Sequence, residues 1–554
     1  MALMLSAQGR WVQAPRRFLS SRSLRGAFRG GSASYLEQHS DTPSYTGSSD
    51  VPAPESRPAS RFVEVLDESE EGDYEPLERS SSEEGTKHTS IDEGPPALPR
   101  PVGFWDPRLK YVRREAMLKW LVTTTILMTF ILAVLSIYWG VFTEVEKNLS
   151  SLRVLIVDFD AQVMPFSNMG ITPVVGPIIT QLGMDTINSG MPHLGFNNRP
   201  PSDYGYDPME VRRAVYDFEA WAAFIINPNA TAMLQSAVQN GNSSYDPMGA
   251  CQLVFVSSRD DTNWSDLIFP KIAEFVTEAT ARVGQQWAAQ VLQNAQNDQT
   301  VLDNLANTPQ ALSPAIGFSQ YDLRPFLPYT AIPAVSIGLI YLIIVAFFSF
   351  TFYLPIHFRY LRPEGHPVLK FSHLVIWRWC STVSAYFFLS LAYSLVSLAF
   401  QINFSGGNPV RTHTVSTWTV NGNNNPDAYG HGTFPVYWML NFFGMIALGL
   451  ACENAAMFVG QPWTGLWLIF WVITNVSTAF YDLDVEPGFY RWGYVWPLHY
   501  IVEGSRQILF DLHPRIGVDF AVLIAWGAIN TLLFPVACWF MRWKSQHHVH
   551  EYYR

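Results

Sequence analysis

Charge is scarce in this sequence: Lys, Arg, Asp and Glu make up 15% of its 554 residues, against roughly 25% in an ordinary soluble domain. Cysteine is scarcer still. Of the four, Cys380, Cys452 and Cys538 fall in apolar runs and only Cys251 lies elsewhere, which excludes a disulfide framework. No G-x-x-x-x-G-K-[ST] occurs, nor even a Gly-Lys pair, so the chain has no phosphate-cradling loop and no P-loop ATPase of its own. G-x-S-x-G, H-E-x-x-H and paired-cysteine zinc spacings are missing too, and neither enzyme activity, a cofactor nor a bound metal is expected. The net charge of −11 is local. It resides in an acidic segment between Glu37 and Glu93, which leaves the remainder nearly neutral and excludes a nucleic-acid partner.

What is present is apolar and aromatic: 48% hydrophobic residues, with 19 Trp and 37 Phe. Trp120 to Phe142 runs without a charge and is long enough to cross the ~30 Å hydrocarbon core of a bilayer. Similar runs at 331–357, 377–402, 435–458, 463–481 and 518–541 bring the expected number of transmembrane helices to six. Basic residues near the helix ends set the orientation. Lys110, Arg113, Arg114 and Lys119 precede the first helix, Arg359, Arg362, Lys370 and Arg378 lie between the second and third, and Arg542 and Lys544 follow the sixth. All fall on one side, which predicts cytosolic N- and C-termini. The N-x-S/T sequons at Asn148, Asn229, Asn242, Asn263 and Asn403 fall on the other side as candidate N-glycosylation sites, with Asn148 and Asn403 close to helix ends. Asn475 fits the pattern inside the fifth run and reads as a packed polar group.

The fold class expected is an α-helical polytopic membrane protein with a large α/β outer domain between helices 1 and 2. Residues 1–100 read as a disordered cytosolic tail, acidic from 37, in which Ser80 and Ser81 each precede an acid by three residues. Its first 36 residues, with arginines, serines and no acid, have a transit-peptide-like composition. Residues 101–142 form a basic juxtamembrane segment and helix 1, 143–326 the outer domain, 327–541 a five-helix bundle, and 542–554 a second cytosolic tail. In the outer domain, "LRVLIVDFDAQ" and "CQLVFVSS" suit buried strands, and "WAAFIINPNATAML" reads as strand, turn and helix start. Ile272, Phe275, Val276, Ala279, Val283 and Trp287 recur at helical spacing in a long helix expected to return the chain to the membrane.

Several residues are candidates for function. Glu453 lies within a span, where a carboxylate is costly and marks a functional site by default. The alternatives are that it snorkels to the cytosolic end or pairs with Arg378 on the third helix. The segment 489–513, "FYRWGYVWPLHYIVEGSRQILFDLH", carries Pro497 where the first turn of a helix tolerates it. From there one apolar face is opposed by His499, Glu503 and Arg506, with Trp492, Tyr494 and Trp496 at headgroup level. It reads as an amphipathic outer segment, either a gate for an amphiphilic ligand or a plug that packs the bundle. Asp158 and Asp160 share a strand face and suit strand-end packing better than acid–base chemistry. Asn441, Asn475 and Asn530 suit interhelical hydrogen bonding. His547, His548 and His550 suit a solvated tail better than a weak metal site.

One helix, a large α/β domain and five further helices resemble the plan of the membrane half of ABC-2-type exporters. More closely, "LIVDFDAQ", "GITPVVGPIITQ" and "FYRWGYVWPLHYIVEGSRQILFDLHPRIG" resemble the fungal nitrosoguanidine-resistance membrane protein family over about 115–545. That resemblance implies a fungal multi-pass protein of the plasma membrane, linked to drug tolerance and to lipid distribution between leaflets. It supplies no catalytic residues. The exporter plan implies a homodimer and, given the missing P-loop, a separate ATPase or another source of drive. The expectation is a transport or efflux component for amphiphilic compounds or lipids. The alternative is a non-transporting organiser or regulator of lipid asymmetry.

Overall fold

The computed structural model describes residues 101–295, 299–360, 365–367, 369–400, 402, 404, 429–460 and 463–552. The acidic tail, the transit-like start, Arg362 and the sequon at Asn403 lie outside the described residues. The first uncharged run forms helix α1, Lys110–Gly140, 31 residues in length. That is about 46 Å, ample for a bilayer. α1 is exposed along almost its whole length, with Val134 its one buried side chain. At its domain-side end it meets Tyr490, whose hydroxyl donates to the Ile137 carbonyl. A side chain at Gly140 would meet that hydroxyl, so the close approach favours glycine there.

The α/β domain follows. Its elements are β1 (Arg153–Asp158), α2 (Val175–Asn188), β2 (Gly195–Arg199), α3 (Pro208–Tyr216), β3 (Ala222–Ile226), α4 (Ala230–Asn240), β4 (Cys251–Phe255), α5 (Phe269–Ala295), α6 (Gln299–Asn307) and β5 (Phe318–Asp322). The sheet order is β2-β1-β3-β4-β5. β1 pairs parallel with β2 and β3, β3 antiparallel with β4, and β4 parallel with β5. The three apolar runs expected as strands are β1, β3 and β4. β2 and β5 escape the apolar-run criterion because each edge strand buries a single side chain, Phe196 and Phe318. α5 has the expected apolar stripe but does not return the chain to the membrane; α6 and β5 intervene.

Alternation along the central strands sends neighbours to opposite layers. Val154, Ile156 and Phe224 face Ile179 of α2, Leu234 of α4 and Phe275 of α5. Leu155, Val157 and Ile225 face the other way, into a core that includes Val211 of α3 and continues into the membrane bundle. The α/β domain and the bundle therefore share one apolar core.

The bundle comprises α7 (Ile340–Arg359), α8 (Phe371–Ala399), α9 (Thr433–Val459), α10 (Thr464–Ser477), α11 (Pro497–Phe510) and α12 (Ile516–Tyr552). Among the described residues five helices are long and apolar enough to cross a membrane: α1, α7, α8, α9 and α12. The expected fifth span, 463–481, is the 14-residue α10. At about 21 Å it is shorter than the hydrocarbon core. The run expected from 331 becomes helical only at Ile340, because short 3-10 turns containing Pro333 precede it. α12 continues past residue 541, the expected end of the bundle, through to Tyr552. α9 is the central helix, buried along most of its length. Gly449 on α9 lets Tyr386 of α8 come close, since a Cβ there would lie 2.5 Å from the Tyr386 hydroxyl.

Candidate functional site

Helical spacing places Arg378 and Thr382 on one face of α8, four residues apart, and Glu453 and Met457 likewise on α9. Where these faces meet, Arg378 Nη2 donates to Glu453 Oε1 at 2.7 Å and Thr382 Oγ1 donates to Glu453 Oε2 at 3.0 Å. Arg378 and Glu453 are each 1% exposed. The carboxylate is well served, but the guanidinium is not. Its Nη1 lies against sulfur atoms only, Met457 Sδ at 3.2 Å, Cys538 Sγ at 3.7 Å and Met541 Sδ at 4.0 Å. Its Nε has no hydrogen-bond partner among the described residues. Sulfur is a weak acceptor, so Arg378 rests on one strong bond. Stability alone does not favour such an arrangement, because taking two charges out of water costs more than a single pair returns. Snorkelling, the other reading of Glu453, is excluded by its burial.

α11 is packed rather than laid with its polar face at headgroup level. Eleven of its residues are buried, and it sits between the bundle and the α/β domain as a plug. Arg506 is 5% exposed and does not face headgroups. Its Nη1 donates to Asp260 Oδ2 at 3.1 Å and to Glu503 Oε1 at 3.3 Å, and its Nε to the Val335 carbonyl at 3.2 Å. Asp260, in the loop after β4, also accepts from the backbone N–H groups of Thr262 and Asn263. Just past α11, Asp511 Oδ2 pairs with the fully buried Arg324 at 3.1 Å, and the Asp511 carbonyl accepts from the Tyr216 hydroxyl at 3.0 Å. Trp496 and Trp492 are half-buried, their rings 4.9 Å apart, and Trp496 Nε1 donates to Thr474 Oγ1 at 3.2 Å. His499, also half-buried, stacks edge-on with Tyr494 and Tyr500. Asn475 is fully buried; its Nδ2 donates to the Trp471 carbonyl and its Oδ1 accepts from the Leu498 N–H. Sequence reasoning missed Asp260, Arg324 and Asp511. Their only signal was charge beside apolar runs, which surface loops show as well.

Asp158 and Asp160 serve the fold, as strand-end packing predicts. Asp160 is fully buried at the carboxyl ends of β1 and β3, the crevice where open α/β sheets take ligands. It accepts from the Thr231 N–H at 2.9 Å, the Thr231 hydroxyl and the Gly176 N–H at 3.3 Å. The N-termini of α2 and α4 thus already hold an internal anion. Burial pushes the Asp158 carboxyl up to about 6, against the hydrogen bond it accepts from the Asp160 N–H.

The sequons differ in access. Asn263 is fully buried and its Nδ2 donates to Asp260 Oδ2 at 2.8 Å, so it is not a glycan acceptor in the folded domain. Asn148 Nδ2 donates to the Val485 and Glu486 carbonyls. Asn229 and Asn242 are half-buried. Replacing Asn263 by Gln is expected to leave electrophoretic mobility unchanged before and after endoglycosidase treatment; a mobility shift on that substitution would show the site occupied.

A model of the family described as "Protein of unknown function (DUF3533)" matches residues 123–532. The chain belongs to this family. The match takes in all five strands, most of α1 and the bundle as far as the middle of α12. The DUF3533 chain is also 28% identical over 447 residues to the "Uncharacterized endoplasmic reticulum membrane protein YJR015W" of Saccharomyces cerevisiae, covering 78% of this chain and 82% of that one. No solved structure matches. With its apolar helices, this family member is a membrane protein. The nitrosoguanidine-resistance and exporter resemblances go further than these matches do, as does a plasma-membrane address beside a relative named for the endoplasmic reticulum.

Proposed function

We propose that this protein is a component of a machine that moves amphiphilic molecules, lipids or lipid-like compounds, across or out of the membrane that holds it, and so contributes to drug tolerance. The reading rests on the Arg378–Glu453 pair, a thinly supported buried charge pair between two spanning helices. An intramembrane pair of this kind marks substrate and ion pathways. The energy source is a separate ATPase or an ion gradient, and a homodimer fits the exporter-like plan. No bond-making chemistry is part of the proposal.

The alternative, a non-transporting organiser of lipid asymmetry, draws on the Arg506–Asp260 and Arg324–Asp511 pairs, which fasten the α/β domain to the bundle. The test is retention of a labelled nitrosoguanidine and of a fluorescent phospholipid in cells lacking the protein. Each is compared after restoring the wild type or the Arg378→Met/Glu453→Met double variant at matched abundance. Transport predicts lower retention with the wild type and none of that effect with the double variant. Tolerance restored with retention unchanged would favour the organiser.

A further inference from the structure

The buried face of α8 is polar along nearly its whole length. Arg378, Thr382, Tyr386, Ser390 and Ser394 recur every four residues, and all are buried. Most meet partners on α9. Beyond the ion pair, Trp438 Nε1 donates to Ser390 Oγ at 3.2 Å and Asn441 Nδ2 to Ser394 Oγ at 3.0 Å. Ser397 lies 3.2 Å from the Tyr437 hydroxyl. From Arg378 to Ser397 the helix rises about 28 Å, nearly the hydrocarbon thickness of a bilayer. A seam serving only as glue would have its polar atoms satisfied. This one does not: Arg378 Nε and Asn441 Oδ1, buried near its two ends, have no partner among the described residues.

Beside the seam, between α7 and α8, lies a cleft of about 510 Å³ lined by Val345, Phe348, Ser349, Phe352, Tyr353 and Leu389. The lining belongs to two spanning helices, so hydrocarbon chains are the medium outside it. Its one small polar residue, Ser349, donates to the Ala346 carbonyl and also contacts Tyr386, a member of the seam. The apolar cleft therefore abuts the polar seam at Ser349 and Tyr386.

We infer that cleft and seam together form a phospholipid route: an acyl chain occupies the α7–α8 cleft, and the phosphate-bearing headgroup follows the α8–α9 seam when those helices part. Arg378 supplies the phosphate contact through the donor it leaves unused in the packed state. The inference rests on the proposed function and names its substrate class and path.

The experiment uses the full chain in membranes containing a phospholipid with a photoactivatable acyl chain. Crosslinks are mapped by mass spectrometry and compared with those to a diacylglycerol bearing the same chain. The reference is the lipid-facing side of α12, where Ile529, Leu532 and Val536 are exposed. Phospholipid labelling at Phe352, Tyr353 and Leu389 is expected to exceed the reference about five-fold, a preference of about 1 kcal/mol. Ser349→Phe, which fills the cleft, should remove that excess and leave α12 labelling unchanged. Labelling equal to that of α12, or indifferent to Ser349→Phe, would overturn the route. Equal enrichment of the diacylglycerol would overturn the headgroup assignment. Enriched labelling together with unchanged retention in cells would sink the proposed function and leave the lipid site standing.

Discussion

Replacing Glu453 alone by Gln is expected to destabilise the protein more than replacing Glu453 and Arg378 together by Met. The single change leaves a guanidinium inside the bundle with a neutral amide, three sulfur atoms and an unpartnered Nε around it. Removing one member of a buried pair costs about 3–5 kcal/mol, whereas exchanging both for apolar groups of similar volume is neutral or stabilising by about 1–4 kcal/mol. The surroundings suit methionine, since Met457, Cys538 and Phe534 already line the site. Thr382 keeps its place one turn along α8 but loses its carboxylate acceptor, a cost of about 1 kcal/mol. Heat inactivation of the detergent-solubilised full chain would order the variants as single substitution least stable, double substitution near wild type. A double variant as unstable as the single one would show that the pair holds α8 against α9. A double variant that is stable yet inactive in retention would separate function from folding.

Much of this was legible in the sequence, for identifiable reasons. The Arg378–Glu453 pairing could be anticipated because a charge in an apolar run is rare and needs a partner. β1, β3 and β4 were legible because strands covered on both faces read as short apolar runs. β2 and β5 were not, since an edge strand such as "GFNNR" gives no such run. The α11 segment shows the limit most clearly. Its pattern revealed a helix starting at Pro497 and a polar face with Arg506 on it, but nothing local indicates that this face meets Asp260, far away in the chain, rather than water. The polar seam of α8 was missed for another reason. A single serine in a span is cheap and common, and only the four-residue recurrence together with the α9 partners makes it a feature. In the fifth apolar run the helix ends at Ser477, short of residue 481, and Thr474, Asn475, Ser477 and Thr478 bond back to helix carbonyls near that end.

A second large effect concerns pH and a group outside the spans. Glu486 is 3% exposed, and neither carboxylate oxygen has a hydrogen-bond partner among the described residues. Burial first, then the neighbouring Asp482, push its carboxyl up to about 9. Tyr490 is the other titratable group facing it. At neutral pH the folded protein therefore carries a proton here that the unfolded chain has released. Stability is highest below the unfolded value near 4.5 and falls as pH rises towards 9. The slope is about 1.4 kcal/mol per pH unit. Asp158 and Asp482, both pushed up to about 6, contribute in the same direction only at lower pH. Across pH 6.5 to 8.5 the loss due to Glu486 is about 3 kcal/mol. Glu486→Gln keeps the shape of the protonated acid and removes this titration. The unfolding temperature of the wild type is expected to drop across that range by more than that of Glu486→Gln, the difference being the Glu486 contribution. Equal drops in both proteins would show that Glu486 ionises freely where it stands, and that the Asn148 contacts to the Val485 and Glu486 carbonyls do not hold its carboxylate away from water.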